Sequence, residues 1–251
     1  MAETAMEICK LKFKSLDDKE VPAFFINAGS SRAAIVIHGY SSSKYAFLGL
    51  GYEVAERGYD AYVIDLRGHG ENENPLDEDV INDVEGVIRE LRKRYSKVIS
   101  IGHSLGGLLS LKSSSDFAIA ISPPLLPEVS KSAKFMLRLY SCRVREKDGE
   151  VLFRILKKYN PVERDKNAVI ICGTGESRGM RMGIEAWSKG RSVEVIFLEE
   201  SQATLPEVDV ECEELKRYIP HFVSHQATTH AFVRALRSLM PQILDKVSQM
   251  G

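Results

Sequence analysis

Five short runs with apolar centres set the main limit on what this chain can fold into: residues 33–37, 60–65, 97–101, 117–121 and 168–172. A run of about five apolar residues without alternation suits a strand covered on both faces, as in a parallel sheet. The stretches between them change period. Val80, Ile81, Val84, Val87, Ile88 and Leu91 recur at helical spacing. Helices are therefore expected at 46–57 (ending before Gly58), 79–95, Ser104 to about Ser114, 179–189 and Thr228 to Val247. Two strand candidates, 7–14 and 21–27, come first, split by the turn-like Ser15–Lys19, and a last strand is expected at 193–198. Strands alternating with helices imply an α/β fold: a mostly parallel, eight-stranded sheet with helices on both faces.

One segment breaks the alternation. Residues 123–162 open with Pro123-Pro124-Leu125-Leu126-Pro127, run through two expected helices and close at Asn160-Pro161. The expectation is a helical cap inserted over the C-terminal edge of the sheet, where open α/β folds bind ligands. Residues 1–122 and 163–251 then form the core domain. A long helical crossover is the alternative. Leu125, Leu126, Phe135, Met136, Leu137 and Leu139 are candidates either to line an apolar acyl pocket or simply to pack.

Charge excludes some partners. Lys+Arg total 34 and Asp+Glu 35, so nothing favours nucleic acid or an anionic membrane. The basic run Arg89, Arg92, Lys93, Arg94, Lys97 is interleaved with Glu85 and Glu90 and reads as a solvated helix face. The four cysteines are far apart with no CxxC pair, which suggests neither a zinc site nor a disulfide framework. No run approaches the ~20 apolar residues of a membrane span. The opening MAETAMEICKLKFK has no apolar leader. A cytoplasmic protein without stable membrane insertion is the expectation.

The run 97–101 leads straight into Gly102-His103-Ser104-Leu105-Gly106-Gly107, with a helix expected after it. G-x-S-x-G arises by chance in roughly one chain in ten of this length. The strand before it and the helix after it make it informative. A serine on so tight a turn crowds side chains two residues either side, which favours glycine there. The turn holds Ser104 Oγ clear of the backbone at a helix N-terminus. Acyl transfer also needs donors for an oxyanion. The N–H of Leu105 is one candidate. The N–H of Tyr40, after His38-Gly39 at the end of run 33–37, is the other.

HGY at 38–40, DLRGHG at 65–70 and GHSLGG at 102–107 together resemble the α/β-hydrolase superfamily, close to its lysophospholipase, monoacylglycerol lipase and carboxylesterase branch. By that resemblance, residues 65–70 form a structural loop beside the site, and His69 is structural. The family's chain order is Ser, then Asp or Glu, then His. The loop after run 168–172 contains no aspartate, and Glu176 stands where the acid belongs. The competing reading is an acid that merely starts the next helix, with Asp209 as an outside candidate for the role. For the base, His221 in Pro220-His221-Phe222 is preferred and His225 is the alternative. His230 falls within the last expected helix. The stretch 199–219 is longer than the family's usual connection and carries a helix-like Glu211–Tyr218. No metal site is expected at the three histidines, which lack an H-E-x-x-H pattern.

The expected activity is that of a serine hydrolase cleaving carboxylic esters of small or medium acyl groups, with no cofactor or metal and a small-molecule substrate. A peptidase, a thioesterase, a C–C hydrolase or a non-catalytic binding relative on the same fold are the rivals.

Overall fold

The computed structural model describes residues 6–126, 129, 131–165, 167–198 and 239–249. The strands are β1 (Ile8–Lys14), β2 (Glu20–Ile26), β3 (Arg32–Ile37), β4 (Asp60–Ile64), β5 (Lys97–His103), β6 (Phe117–Ile121), β7 (Ala168–Gly173) and β8 (Glu194–Leu198). The helices are α1 (Leu48–Glu56), α2 (Ile81–Leu91), α3 (Leu105–Lys112), α4 (Lys131–Tyr140), α5 (Val151–Tyr159) and α6 (Arg178–Ser188). Residues 239–249 are also helical.

All eight strands lie in one sheet, in the order β1-β2-β4-β3-β5-β6-β7-β8. β2 runs antiparallel to both its neighbours, and every pairing from β4 to β8 is parallel. The parallel strands β4 and β6 are buried at every residue, whereas the edge strand β1 is largely exposed. This is the burial that non-alternating apolar runs demand.

The pleat sorts the side chains into two cores. Ala33, Ile35 and Ile37 face one core with Val84, Leu108, Ile155 and Trp187. Ala34 and Val36 face the other with Leu50, Val54, Met240, Ile243 and Leu244. Thus α2, α3, α5 and α6 cover one face, and α1 and the C-terminal helix cover the other. Ile35 is fully buried, and truncating such a residue to alanine costs about 2–5 kcal/mol.

Two elements differ from their expected extents. α2 stops at Leu91 rather than residue 95. The chain turns there so that the Tyr95 hydroxyl can reach Asp60 Oδ2 at 2.7 Å and the Tyr62 hydroxyl at 2.6 Å. The segment before α1 is a 3-10 turn, Lys44–Phe47. Within residues 123–162, α5 buries Val151, Leu152, Ile155, Leu156 and Tyr159 in the first core. α4 instead leaves Phe135 and Leu139 about half exposed. No helix among the described residues is long and apolar enough to cross a membrane.

The strand order locates the site. From β3 the chain moves to β4 on one side, and β5 then returns to β3's other flank before β6, β7 and β8 continue outward. The C-terminal ends of β3 and β5 therefore flank the topological switch point, where loops diverge and leave a crevice.

Candidate active site

Ser104 sits between β5 and α3 with φ 51° and ψ −115°. A left-handed serine costs about 1–3 kcal/mol, so its surroundings must hold it there. Its N–H donates to Ile121 O at 2.8 Å, and its carbonyl accepts from Leu108 N–H at 3.0 Å to begin the helix. Ser104 is partly exposed, while residues 98–103 and 105–111 are all buried. The glycines meet the expected demand. A Cβ on Gly102 would lie 2.1 Å from Gly106 O, and one on Gly106 would lie 2.3 Å from Ile37 O. No side chain fits at either place.

The loop after β3 closes over this turn. A Cβ on Gly39 would stand 3.2 Å from Ser104 Cβ and 3.1 Å from His103 Nδ1. Tyr40 follows directly, so its peptide lies beside the serine. The N–H of Leu105, the first residue of α3, belongs to the end of the helix that lacks intrahelical acceptors. The Tyr40 hydroxyl donates to Glu146 Oε1 at 2.9 Å. Burial and that carboxylate push the phenol's pKa up.

The loop 65–70 is held by two buried ionic clusters. Asp65 is fully buried and accepts from Lys44 N–H at 2.7 Å, Glu71 N–H at 2.8 Å and the Lys44 ammonium. Lys44 is itself fully buried and lies 3.0 Å from Glu71 Oε2. Arg67 is also fully buried and donates to Asp83 Oδ1, Asp77 Oδ1 and Asp17 Oδ1, each at 2.7 Å through a terminal nitrogen. His69 is buried, with Nδ1 on Arg67 O at 3.0 Å. Burial above all, with His38 beside it, depresses the His69 pKa to about 3. These contacts brace the loop.

Neither buried cation was anticipated. Lys44 lies in a serine-rich loop that reads as solvated, and the partners of Arg67 are dispersed in sequence. Glu146 was missed as well, because nothing in the sequence marks it as a partner for Tyr40.

Glu176 leaves the same sheet edge. β6 lies between β5 and β7, with His103 level with Ile121 and Ile121 level with Ile171. At ordinary strand spacing β7 is about 10 Å from β5. After β7 the chain turns, with Glu176 N–H donating to Gly173 O at 3.2 Å. Thr174 and Gly175 are exposed, yet Glu176 is only 3% exposed. The N-cap of α6 is Ser177, whose Oγ accepts from Met180 N–H at 3.2 Å. Glu176 therefore precedes the cap and is no part of the helix's first turn, which weakens the reading of it as a dipole partner. His221, His225, His230 and Asp209 lie outside the described residues.

A groove of about 580 Å³ lies at the opposite edge of the sheet, between the N-terminal ends of the strands. Its charged groups are already engaged: Lys97 Nζ on Val247 O at 2.6 Å, and Asp116 Oδ2 on Val98 N–H at 2.7 Å. It is a seam between elements, remote from Ser104.

A family model described as the alpha/beta hydrolase fold matches residues 34–123. No curated protein matches the chain. Among solved structures, the esterase Pf2001 of Pyrococcus furiosus is similar with a TM-score of 0.69 and 18% identity, over 96% of this chain and 91% of its own. An alpha-beta serine hydrolase homologue from Coxiella burnetii gives 0.61 and 14%, over 94% and 97%. The bottromycin epimerase BotH gives 0.59 and 13%, over 92% and 98%. At such identities the likeness is one of fold, and BotH illustrates that the fold carries more than one chemistry. The sheet order, the strained serine and the family match define an α/β-hydrolase fold. Residues 34–123 match that family's model, and the rest of the described chain shares its fold.

Proposed function

We propose that this protein is a serine hydrolase that cleaves carboxylic esters of small or medium acyl groups through an acyl-enzyme on Ser104. The observation that carries the reading is the left-handed Ser104, partly exposed at the end of a buried strand with Gly39 pressed against it. Holding such a conformation has a cost, and the cost is understandable where the hydroxyl must stand free for attack.

In this reading an imidazole, from His221 with His225 as the alternative, takes the Ser104 proton as Oγ attacks the ester carbonyl. Glu176 orients that imidazole and stabilises its charged form. The N–H groups of Tyr40 and Leu105 receive the oxyanion. The tetrahedral adduct collapses, the alkoxide leaves with the imidazole's proton, and an acyl-enzyme remains. Water then attacks the acyl carbon by the same route, releasing the carboxylic acid and restoring Ser104. Residues 123–162 serve as the segment over the site, with α4 as its outer helix and α5 fastening it to the core.

A fluorophosphonate probe tests this directly. Wild type should label at Ser104, and Ser104→Ala should not. A folded wild type that does not label defeats the proposal. Rates on p-nitrophenyl acetate, butyrate and laurate, beside a thioester and a peptide amide, rank the substrate classes; preference for the thioester or amide would favour a rival activity. His221→Ala and His225→Ala, made separately, assign the base by which one abolishes turnover.

A further inference from the structure

The loops after β3 and β4 hold each other through two histidines. His38 Nε2 accepts the N–H of Leu66 at 3.2 Å, and His69 Nε2 accepts the N–H of Ser41 at 3.0 Å. Each loop thus supplies a ring to the other and receives one in return. Each Nδ1 lies against a carbonyl of its own loop, Gly39 O at 2.7 Å for His38 and Arg67 O at 3.0 Å for His69. A ring nitrogen that accepts an N–H carries no proton, so Nδ1 is the donor in both rings and both are neutral. The ring centroids are 5.0 Å apart and both side chains are fully buried.

The residue held by this clasp is informative. Ser41 has φ 64°, in the left-handed region that serine seldom adopts. Its N–H belongs to the peptide that joins it to Tyr40. Fixing that peptide's plane restrains the ψ of Tyr40, and with it the neighbouring peptide that carries the Tyr40 N–H. The loop that offers His69 is immobile for independent reasons. Asp65 and Arg67 are locked in their buried clusters. On the far side, Arg145 Nη2 donates to Gly70 O and Asn72 O, both at 2.7 Å.

Building on the serine hydrolase reading, we propose that His69 is a positioning residue: by accepting the Ser41 N–H it holds the left-handed turn that aims the Tyr40 N–H at the developing oxyanion. It touches no reacting atom. His38 closes the clasp by tying Leu66, and with it the loop that carries His69, to the strand β3 side. A donor aimed at a charge that exists only in the transition state affects that state more than the bound substrate. The signature is therefore a loss in kcat with KM nearly kept.

Two substitutions separate the acceptor from the bulk of the ring. His69→Gln can place an amide oxygen near the position of Nε2. His69→Asn can keep a donor near Nδ1 for Arg67 O but leaves the Ser41 N–H without its acceptor. With p-nitrophenyl acetate, His69→Asn should lose about 10²-fold in kcat, the scale of a lost oxyanion donor, with KM within about twofold. Its affinity for a trifluoromethyl ketone, which forms an oxyanion on the serine, should fall by a similar factor. His69→Gln should recover most of both. Equal kcat values for the two variants, or a loss carried by KM alone, overturn the inference. Should His69→Asn not fold, Ser41→Val strains the same turn from its other end, because a β-branched residue resists a positive φ. Its kcat should fall with KM retained, and an unchanged kcat overturns the inference. Fluorophosphonate labelling of wild type is run alongside. Labelled wild type with equal variants defeats this inference alone, whereas a folded, unlabelled and inactive wild type defeats the hydrolase reading and this one with it.

Discussion

A methyl group in place of the Gly39 hydrogen would stand 3.2 Å from the Cβ of Ser104. That distance is tight but short of a clash, so the neighbours must yield by tenths of an ångström. Gly39→Ala should therefore fold, with a melting temperature within about 2–4 °C of wild type, the shift expected from ~1 kcal/mol in a domain of this size. The displaced loop carries the Tyr40 N–H, and misplacement by a fraction of an ångström is costly in catalysis. The expected kcat on p-nitrophenyl acetate is about 10–10²-fold lower. Full activity in the folded variant would show that the loop after β3 takes no part in turnover.

Glu176 is buried although Thr174 and Gly175 before it are exposed, and it precedes the α6 cap, a placement suited to a carboxylate that faces another side chain. Replacing it with glutamine keeps the shape and removes the charge. As the acid of a triad, Glu176→Gln should lower kcat by about 10³–10⁴-fold with little change in the urea midpoint. Asp209→Asn is the matched comparison and should leave kcat near wild type. If the losses fall on Asp209→Asn instead, the acid has been misassigned.

Arg67 and Asp83 are both fully buried. Removing one partner of such a pair strands the other charge, a loss of about 3–5 kcal/mol. Arg67→Met should show a loss of that size in urea unfolding. Adding Asp83→Asn should recover part of it, because the stranded group is then neutral. A double variant no more stable than Arg67→Met would refute the account of this cluster.

The histidine clasp predicts an acid limit to stability. Burial, the leading cause, lowers the His69 pKa to about 3, and burial lowers that of His38 too. Unfolded, each ring takes its proton near pH 6.5. Between pH 6.5 and about 3 the unfolded chain therefore binds more protons than the folded one, and stability falls as the pH falls. The clasp's contribution is fully present above pH 6.5 and lost progressively below it. Melting temperatures of wild type and His69→Gln across this window should converge on acidification. Parallel curves would show that His69 does not titrate as described.

What was legible in the sequence follows from how local its cause is. Each buried strand shows as an apolar run because both its faces need cover. The serine turn shows as glycines because the clashes act within two residues. Contacts between distant segments leave no such mark. Arg67 meets Asp17 across 50 residues and Tyr40 meets Glu146 across 106, so a single arginine or tyrosine reads as ordinary surface. The end of α2 was misjudged for a similar reason: helical spacing continues, but the Tyr95 hydroxyl has partners on β4. Residues 123–162 read as one cap by composition, while α5 is amphipathic toward the sheet and joins the core. For the acid the sequence offers a candidate after β7, and Glu176 is buried there. The base had three adjacent candidates, and spacing alone does not separate them.

Residues 144–146 run alongside 68–76, with Leu76 N–H donating to Arg145 O at 2.7 Å and Arg145 N–H to Gly68 O at 2.9 Å. Residues 144–146 are thus stitched by main chain to the loop whose His69 accepts the Ser41 N–H, and Tyr40 is tethered to the same segment again through Glu146. On the proposed function, a foreign segment grafted at 123–162 to change substrate preference would also tug on the peptide of Tyr40. Substrate choice and turnover would then share one mechanical linkage, and a redesign that keeps the 144–146 seam is the one expected to leave the rate intact.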